Sequence, residues 1–173
     1  MVAAGYRPAM FAGIFDSFFG VPMHPFAVHA PIVLLPITAI VAIVFAVRAD
    51  WRTRAAWGMP AAVLVLVGML FVAKESGESA LESGNVFGNV QEHQELADQT
   101  FIVAIVWLVA AVALYARDRQ MSSNETTSLS AAVAPSRDPL TLGLSIVTAV
   151  IAVVAMVWLI RTGHAGSASR WDV

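Results

Sequence analysis

Four long apolar runs dominate the sequence and limit the folds that are open to it. They cover residues 26–47, 57–73, 96–116 and 140–160. A helix that crosses the hydrocarbon core of a bilayer needs about 20 mostly apolar residues, so each run is long enough, or nearly long enough, to span a membrane. None shows the alternation of apolar and polar residues that membrane β-strands have. The runs therefore predict an all-α integral membrane protein, a four-helix up-and-down bundle formed by residues 21–173.

Composition agrees with this and removes several kinds of site. Hydrophobic residues make up 58% of the chain and charged residues 13%, whereas a soluble domain carries about 25% charged residues. The absence of cysteine excludes disulfides, iron–sulfur clusters, thiolate zinc sites and covalently attached c-type haem. A net charge of −2 gives no basic surplus for nucleic acid, so no nucleic-acid partner is expected.

The first 20 residues differ from the rest of the chain. Phe11, Ile14, Phe15, Phe18 and Phe19 recur at helical spacing. They predict a short amphipathic helix that lies in the membrane interface, and an irregular aromatic anchor is the alternative.

Basic residues are divided unevenly between the two sides of the predicted bundle. The loops that follow the first and third runs hold six of the ten Arg and Lys residues, while the opposite side holds eight of the twelve acidic residues. Because loops rich in Arg and Lys usually stay in the cytoplasm, we expect both termini and the 75–95 loop to face outward.

All four histidines fall at one end of this bundle, the predicted outer end. His24 and His29 precede or open the first run, His93 precedes the third, and His164 follows the fourth. Ionisable groups at membrane depth normally face the bundle interior, so the four imidazoles are predicted to form one cluster.

The four are not expected to contribute equally. His29 is placed deepest and between prolines, and His164 is at a similar depth, so these two are predicted to matter most. His93 follows them. His24 ranks last because five residues separate it from His29, about 140° around an ideal helix, and it can join only if Pro25 interrupts the helix.

Three interpretations of the cluster remain open at this point. Haem b needs one or two neutral imidazoles and cations for its propionates, for which Arg161 or Lys74 would serve. A copper or zinc site would use the four histidines, with Glu78 as a carboxylate and Met23 as a soft ligand for copper. The third interpretation is structural, with histidines capping helix ends in an accessory subunit that has no cofactor.

The stretch from residue 20 to residue 36 reads GVPMHPFAVHAPIVLLP. It resembles the opening of a bacterial family of small four-helix membrane proteins, catalogued as domain of unknown function 2231. SGE at 76–78, His93, and TGHAG at 162–166 are similar to later landmarks of that family. The resemblance implies a four-helix architecture and a shared role for the four histidines. Some members are joined to Rieske-type modules, which implies membrane redox work.

The resulting hypothesis is a multi-pass protein of the bacterial cytoplasmic membrane that binds haem b, or else copper or zinc, for electron transfer. An enzyme with its own turnover is not expected, because the chain lacks a Ser-His-Asp arrangement, a phosphate loop and a dinucleotide fingerprint. The expected partners are the lipid bilayer and a redox protein or quinone, with a homo-oligomer as a further expectation.

Overall fold

Four long helices and one short connecting helix account for most of the described chain. The computed structural model describes residues 15, 17–82, 88, 90–127 and 138–171. The helices are α1 (Met23–Val47), α2 (Ala49–Ala55), α3 (Gly58–Glu82), α4 (Gln91–Thr127) and α5 (Pro139–Trp171). Within the described residues, four helices are long and apolar enough to cross a membrane. The predicted all-α architecture with four apolar spans is confirmed.

The long helices form a closed ring in the order α1, α3, α4, α5. Each packs mainly on its two neighbours in this order, and α5 returns to pack on α1. Helices α1 and α4 therefore occupy one diagonal of the bundle, and α3 and α5 occupy the other. Successive helices are antiparallel, so α1 and α4 both begin at the end of the bundle where α3 and α5 finish.

Buried alanines recur along three helices of the bundle, beside larger core residues such as Trp107, Leu35 and Leu66. Each of α1, α4 and α5 buries a pair of alanines, and those pairs are Ala39 and Ala42, Ala104 and Ala111, and Ala152 and Ala155. Large residues on the outer surface, such as Ile40, Leu64 and Val109, are about 60% exposed. Small residues let membrane helices approach closely, while lipid solvates the large apolar ones. This distribution fits contact with a bilayer.

Three helices extend well past the apolar runs that predicted them. Helix α3 continues nine residues beyond Ala73, where Lys74 and Glu78 pair one turn apart. Such a pair supports a helix after its apolar stretch has ended.

Helix α1 starts at Met23 and continues through Pro31 and Pro36. It is therefore already helical at Pro25, so Pro25 does not interrupt the helix between His24 and His29.

The predicted interfacial helix at the N-terminus lies mostly outside the described residues. Its described end is a tight hairpin, in which β1 (Ser17–Phe18) pairs with β2 (Val21–Pro22). The two turn residues, Phe19 and Gly20, both have positive φ angles, 50° and 80°. Two-residue hairpin turns commonly need this conformation, and it cannot continue a helix. The expected helix is therefore wrong for residues 17–20.

At the bundle end opposite the histidines, ion pairs join the connections to the helices. Arg52 of α2 binds Asp118 of α4 through two hydrogen bonds of 2.8 and 3.0 Å. Arg117 binds Asp138, which precedes α5, at 3.1 Å.

Candidate functional site

His24 stands near the start of α1 and points across to α3. Its Nδ1 lies 3.0 Å from the carbonyl oxygen of Ala73 and 3.2 Å from Oγ of Ser76. A carbonyl oxygen only accepts, so Nδ1–H of His24 is the donor. The Ser76 hydroxyl donates to the same Ala73 carbonyl at 2.9 Å, and the Ser76 side chain is buried. The imidazole is thus held at a fixed position on α3.

His93 makes the corresponding contact between α4 and α5. Its Nδ1–H donates to the carbonyl oxygen of Thr162 over 2.8 Å. The Thr162 hydroxyl lies 2.9 Å from the hydroxyl of Thr100, and both side chains are buried. Thr100 lies about two helical turns further along α4 than His93, toward the centre of the bundle. A polar layer therefore supports His93 from below, toward the centre of the bundle.

The two rings meet inside this end of the bundle. Their centroids are 6.2 Å apart and their planes are inclined by 83°. His24 and His93 come from α1 and α4, which lie on one diagonal, while the carbonyls that hold them belong to α3 and α5, on the other. All four long helices therefore contribute to one histidine pair, which we call the His24–His93 site.

Each ring also rests on a glycine of the helix to which it is hydrogen-bonded. A β-carbon added at Gly77 would lie 3.0 Å from Cε1 of His24, and one added at Gly166 would lie 2.9 Å from Nδ1 of His93. Both distances are shorter than ordinary van der Waals contact. Any larger residue would push the imidazole away, so the two glycines make room for the rings.

The hydrogen bonds determine which nitrogen of each ring is available. Since Nδ1–H of His24 and of His93 is used by a backbone carbonyl, the neutral form of each ring keeps its lone pair on Nε2. Histidines that bind metals usually have this arrangement, because a hydrogen bond to the other nitrogen fixes the tautomer and the ring orientation.

His29 and His164 take other positions. Both side chains are exposed, and Nδ1–H of His29 donates to the carbonyl of Pro25 in its own helix. Helix α1 is continuous from Met23, so His24 and His29 point about 140° apart around it. The structure brings His24 and His93 together and leaves the two histidines that were ranked first on the outside of the bundle.

The other residues predicted for the site lie around its rim. Glu78 pairs with Lys74, which also contacts Asp98 of α4 at 3.3 Å. Arg161 is exposed and lies over the ring of Trp158, 5.4 Å from its centroid. Among the described residues no three His, Asp or Glu side chains gather closely enough to hold an ion. The predicted five-residue metal set is not assembled as one site.

Two cavities that described residues border are not lined by a histidine. A groove of about 460 Å³ runs along the α1–α3 seam and is lined by Phe26, Ala27, Ala30, Val65, Gly68, Met69 and Val72. A second cavity of about 20 Å³ lies near the Arg52–Asp118 pair.

One sequence signal would have placed His24 inside the bundle. Pro31, Leu35 and Ala42 are buried, and they follow His24 by 7, 11 and 18 residues. These spacings lie on one helical stripe, so His24 shares the buried face of α1. The contributions of Gly77 and Gly166 carried no such signal, because they depend on how α3 and α5 dock against the rings.

Comparison with known proteins gives a family but no activity. The family model DUF2231, described as a predicted membrane protein, matches residues 20–172. No curated protein matches the chain, and no solved structure matches it.

Proposed function

The chain belongs to the DUF2231 family of membrane proteins, and we propose that its His24–His93 site binds one redox-active metal centre, haem b, for electron transfer in the membrane. The observation that carries this proposal is the pair of imidazoles 6.2 Å apart, each with Nδ1–H bound to a backbone carbonyl. Both rings then have Nε2 available as a ligand. The absence of cysteine leaves non-covalent haem as the form that this chain can hold.

The spacing of the rings suits a single metal between them. A metal–nitrogen bond is about 2 Å long, and Nε2 lies roughly 1 Å from the ring centre, so two opposed imidazoles on one metal have centroids about 6 Å apart. The observed 6.2 Å agrees with this value. Rings joined directly by a hydrogen bond would have centroids closer together, at about 5 Å.

A flat macrocycle would be held by the imidazoles of His24 and His93. These two histidines occupy one diagonal of the bundle, and α3 and α5 occupy the other. Those helices present small residues at this level, namely Ala73, Ser76, Gly77, Ala165 and Gly166. Gly77 and Gly166 lie directly against the rings, so the two helix pairs would have to part locally for haem to be held there.

The protein's own groups have separable tasks in this proposal. The Ala73 and Thr162 carbonyls orient the imidazoles, and the apolar bundle below excludes water. Arg161 at the rim supplies a cation for a propionate. Bound haem iron carries one electron at a time between its ferric and ferrous states. A redox protein that docks at this end of the bundle, or a membrane quinone, is the partner class for the electron.

A lone copper ion is the second candidate, and one observation favours it. The rings are 6.2 Å apart between centroids, and Gly77 and Gly166 lie directly against them, which suits a lone ion better than a macrocycle. Cu(I) accepts imidazole ligands, and two of them suffice for it. Zinc fits less well, because its sites use three or four protein ligands and only two imidazoles converge here.

An absorption spectrum of the detergent-purified protein, with elemental analysis of the same sample, tests the proposal. We expect a Soret band and one iron per chain. A colourless protein with one copper per chain would replace haem by the second candidate. A protein that contains neither, and that takes up neither added haemin nor Cu(I), would overturn both.

Single histidine variants show whether the bound metal uses this site. We expect His24→Ala and His93→Ala to be purified with much less bound metal, because each keeps only one of the two ligands. His29→Ala and His164→Ala are matched controls, since both residues are exposed, and they should retain it. Retention by both His24→Ala and His93→Ala would place the metal elsewhere.

A further inference from the structure

The two halves of the bundle repeat the same set of contacts. In the first half, a histidine near the start of α1 donates to the carbonyl of Ala73 and rests on Gly77, four residues later. In the second half, a histidine near the start of α4 donates to the carbonyl of Thr162 and rests on Gly166, again four residues later. Each hairpin thus places one imidazole on its returning helix in the same manner.

The buried face of α3 repeats on α5 at a constant shift of 89 residues. Five buried positions of α3 coincide with five buried positions of α5: Met59 with Thr148, Val63 with Ala152, Leu66 with Ala155, Ala73 with Thr162, and Ser76 with Ala165. The same shift takes Gly77 to Gly166. A buried helical face repeats about every seven residues, so burial alone would also allow a shift that is seven residues longer or shorter. The shared glycine and carbonyl contacts fix the shift at 89 residues.

The faces of α1 and α4 repeat in the same way, at a shift of 69 residues. This shift takes His24 to His93. It also takes three buried positions of α1 to buried positions of α4, pairing Pro31 with Thr100, Leu35 with Ala104, and Ala42 with Ala111. The two shifts differ by 20 residues, so the stretch from Ala111 to Thr148 is 20 residues longer than the corresponding stretch from Ala42 to Met59, at the end remote from the histidines.

Helix packing obeys the same relation. Exchanging α1 with α4 and α3 with α5 turns each neighbouring pair of the ring into another neighbouring pair. The exchanged helices run in the same direction, so the operation is a twofold rotation about an axis parallel to the helices. Parallel repeats of this kind, related by an axis along the membrane normal, occur in other membrane proteins.

We propose that the pair of helices α1 and α3 and the pair of helices α4 and α5 are two copies of one helical hairpin, related by a twofold axis that passes between His24 and His93. The site therefore binds its ligand through two equivalent imidazoles. The part of this proposal that concerns the ligand rests on the function proposed above. If haem is the ligand, His24 and His93 would both hold the iron and would leave it no open position for dioxygen or another small ligand. The site would then carry electrons.

Equivalence of the two imidazoles is tested in the full-length protein titrated with haemin. We expect His24→Gly and His93→Gly each to convert six-coordinate low-spin iron to five-coordinate high-spin iron. Their losses of haemin affinity should agree within about threefold. Excess free imidazole should restore the low-spin spectrum of both variants. A variant that stays six-coordinate without imidazole, or a large difference between the two affinities, would overturn the equivalence.

A second measurement needs no ligand and separates the repeat from the proposed function. We expect Gly77→Ala and Gly166→Ala each to lower the Tm of the ligand-free protein by about 3 °C, since each crowds one imidazole. Gly68→Ala and Gly163→Ala are matched controls, because a β-carbon at either position meets nothing within 4 Å. A fall in Tm for only one of the two site variants would contradict the repeat. A protein that binds no metal but shows both falls would contradict only the proposed function.

Discussion

Arg52 and Asp118 form a nearly buried, two-bonded ion pair that ties the short helix α2 to α4. Their side chains are 9% and 13% exposed, and a third nitrogen of Arg52 donates to the carbonyl of Phe45 at 3.2 Å. The connection between α1 and α3 includes α2 and therefore passes through this region. The ion pair thus holds the first hairpin against the second at the end remote from the histidines.

Removing one partner of this pair should cost much more than removing both. We expect Arg52→Ala or Asp118→Ala to lower the free energy of unfolding by about 2–4 kcal/mol, because the remaining charge is left without its counter-ion in a partly dry site. The double variant should lose less than the sum of the two. Thermal unfolding in detergent measures these values. Arg48→Ala is a control with an exposed side chain and should cost under about 1 kcal/mol. Strict additivity of the two single losses would show that the pair does not couple.

Trp107 is fully buried, and its indole Nε1–H has no hydrogen-bond partner among the described residues. An unpaired buried donor costs roughly 1–3 kcal/mol. We expect Trp107→Phe, which removes the donor but keeps most of the ring, to change the free energy of unfolding by less than about 1 kcal/mol. Trp107→Ala should cost about 3–5 kcal/mol through the cavity that it leaves.

Trp158→Phe is the matched comparison for that measurement. Trp158 Nε1–H donates to Gln99 over 2.8 Å, so this variant should lose about 0.5–1.5 kcal/mol. A loss above about 2 kcal/mol in Trp107→Phe would mean that the Trp107 donor is bonded in the membrane-embedded protein.

Asp138 caps the start of α5 and makes stability depend on pH in acid. Hydrogen bonds from the hydroxyl and the amide of Thr141, followed by Arg117, lower the pKa of its carboxyl below its usual value of 3.8. The ionised group therefore stabilises the folded protein at pH values above the unfolded pKa, and this contribution is lost as the pH falls through the lower folded pKa.

We expect the Tm to fall below about pH 4 and Asp138→Asn to lack this part of the fall. Asparagine is also a good helix cap, so the variant removes the charge while keeping a cap. The Tm of both proteins between pH 6 and pH 2 is the measurement. Identical pH profiles would show that Asp138 contributes nothing to acid sensitivity.

The orientation of the bundle remains a prediction from the uneven distribution of Arg and Lys. We expect reporters fused at residue 50 to be cytoplasmic and reporters fused after Val173 to be external. A cytoplasmic reporter after Val173 would reverse the orientation. The joint placement of His24 and His93 at one end of the bundle would be unaffected.

Much of the fold was predictable because membrane helices are specified by apolar length. The four runs lie inside the observed helices, except that Trp57 precedes α3, and α5 packs on α1 as expected for the first and last helices of an up-and-down bundle. The helix ends were less predictable. The second apolar run ends at Ala73, but α3 continues to Glu82, because the residues that follow favour a helix and Lys74 pairs with Glu78. The hairpin at Ser17–Pro22 was not predicted, because the spacing of the phenylalanines favoured a helix. Gly20, which can adopt the positive φ angle of a hairpin turn, was the signal against a helix there.

The candidate site was predicted in its residue type and its end of the bundle. The order of importance given to the histidines was not the order in which the structure buries them. Depth along the helix favoured His29, whereas the direction in which a side chain points decides whether it reaches the interior, and that direction favours His24. The glycine contacts involve residues 53 and 73 positions from their histidines, and only tertiary docking reveals them.

The ring order of the helices has a consequence for how the chain can be rewired. Because α5 packs on α1 and ends at the same end of the bundle where α1 begins, a short linker could join Trp171 to Met23 without crossing the membrane. New termini opened between Glu82 and Gln91 would then give a circular permutant in which the second hairpin is translated first. Since each hairpin places its own imidazole, the permutant should assemble the same histidine pair from the reversed order of synthesis.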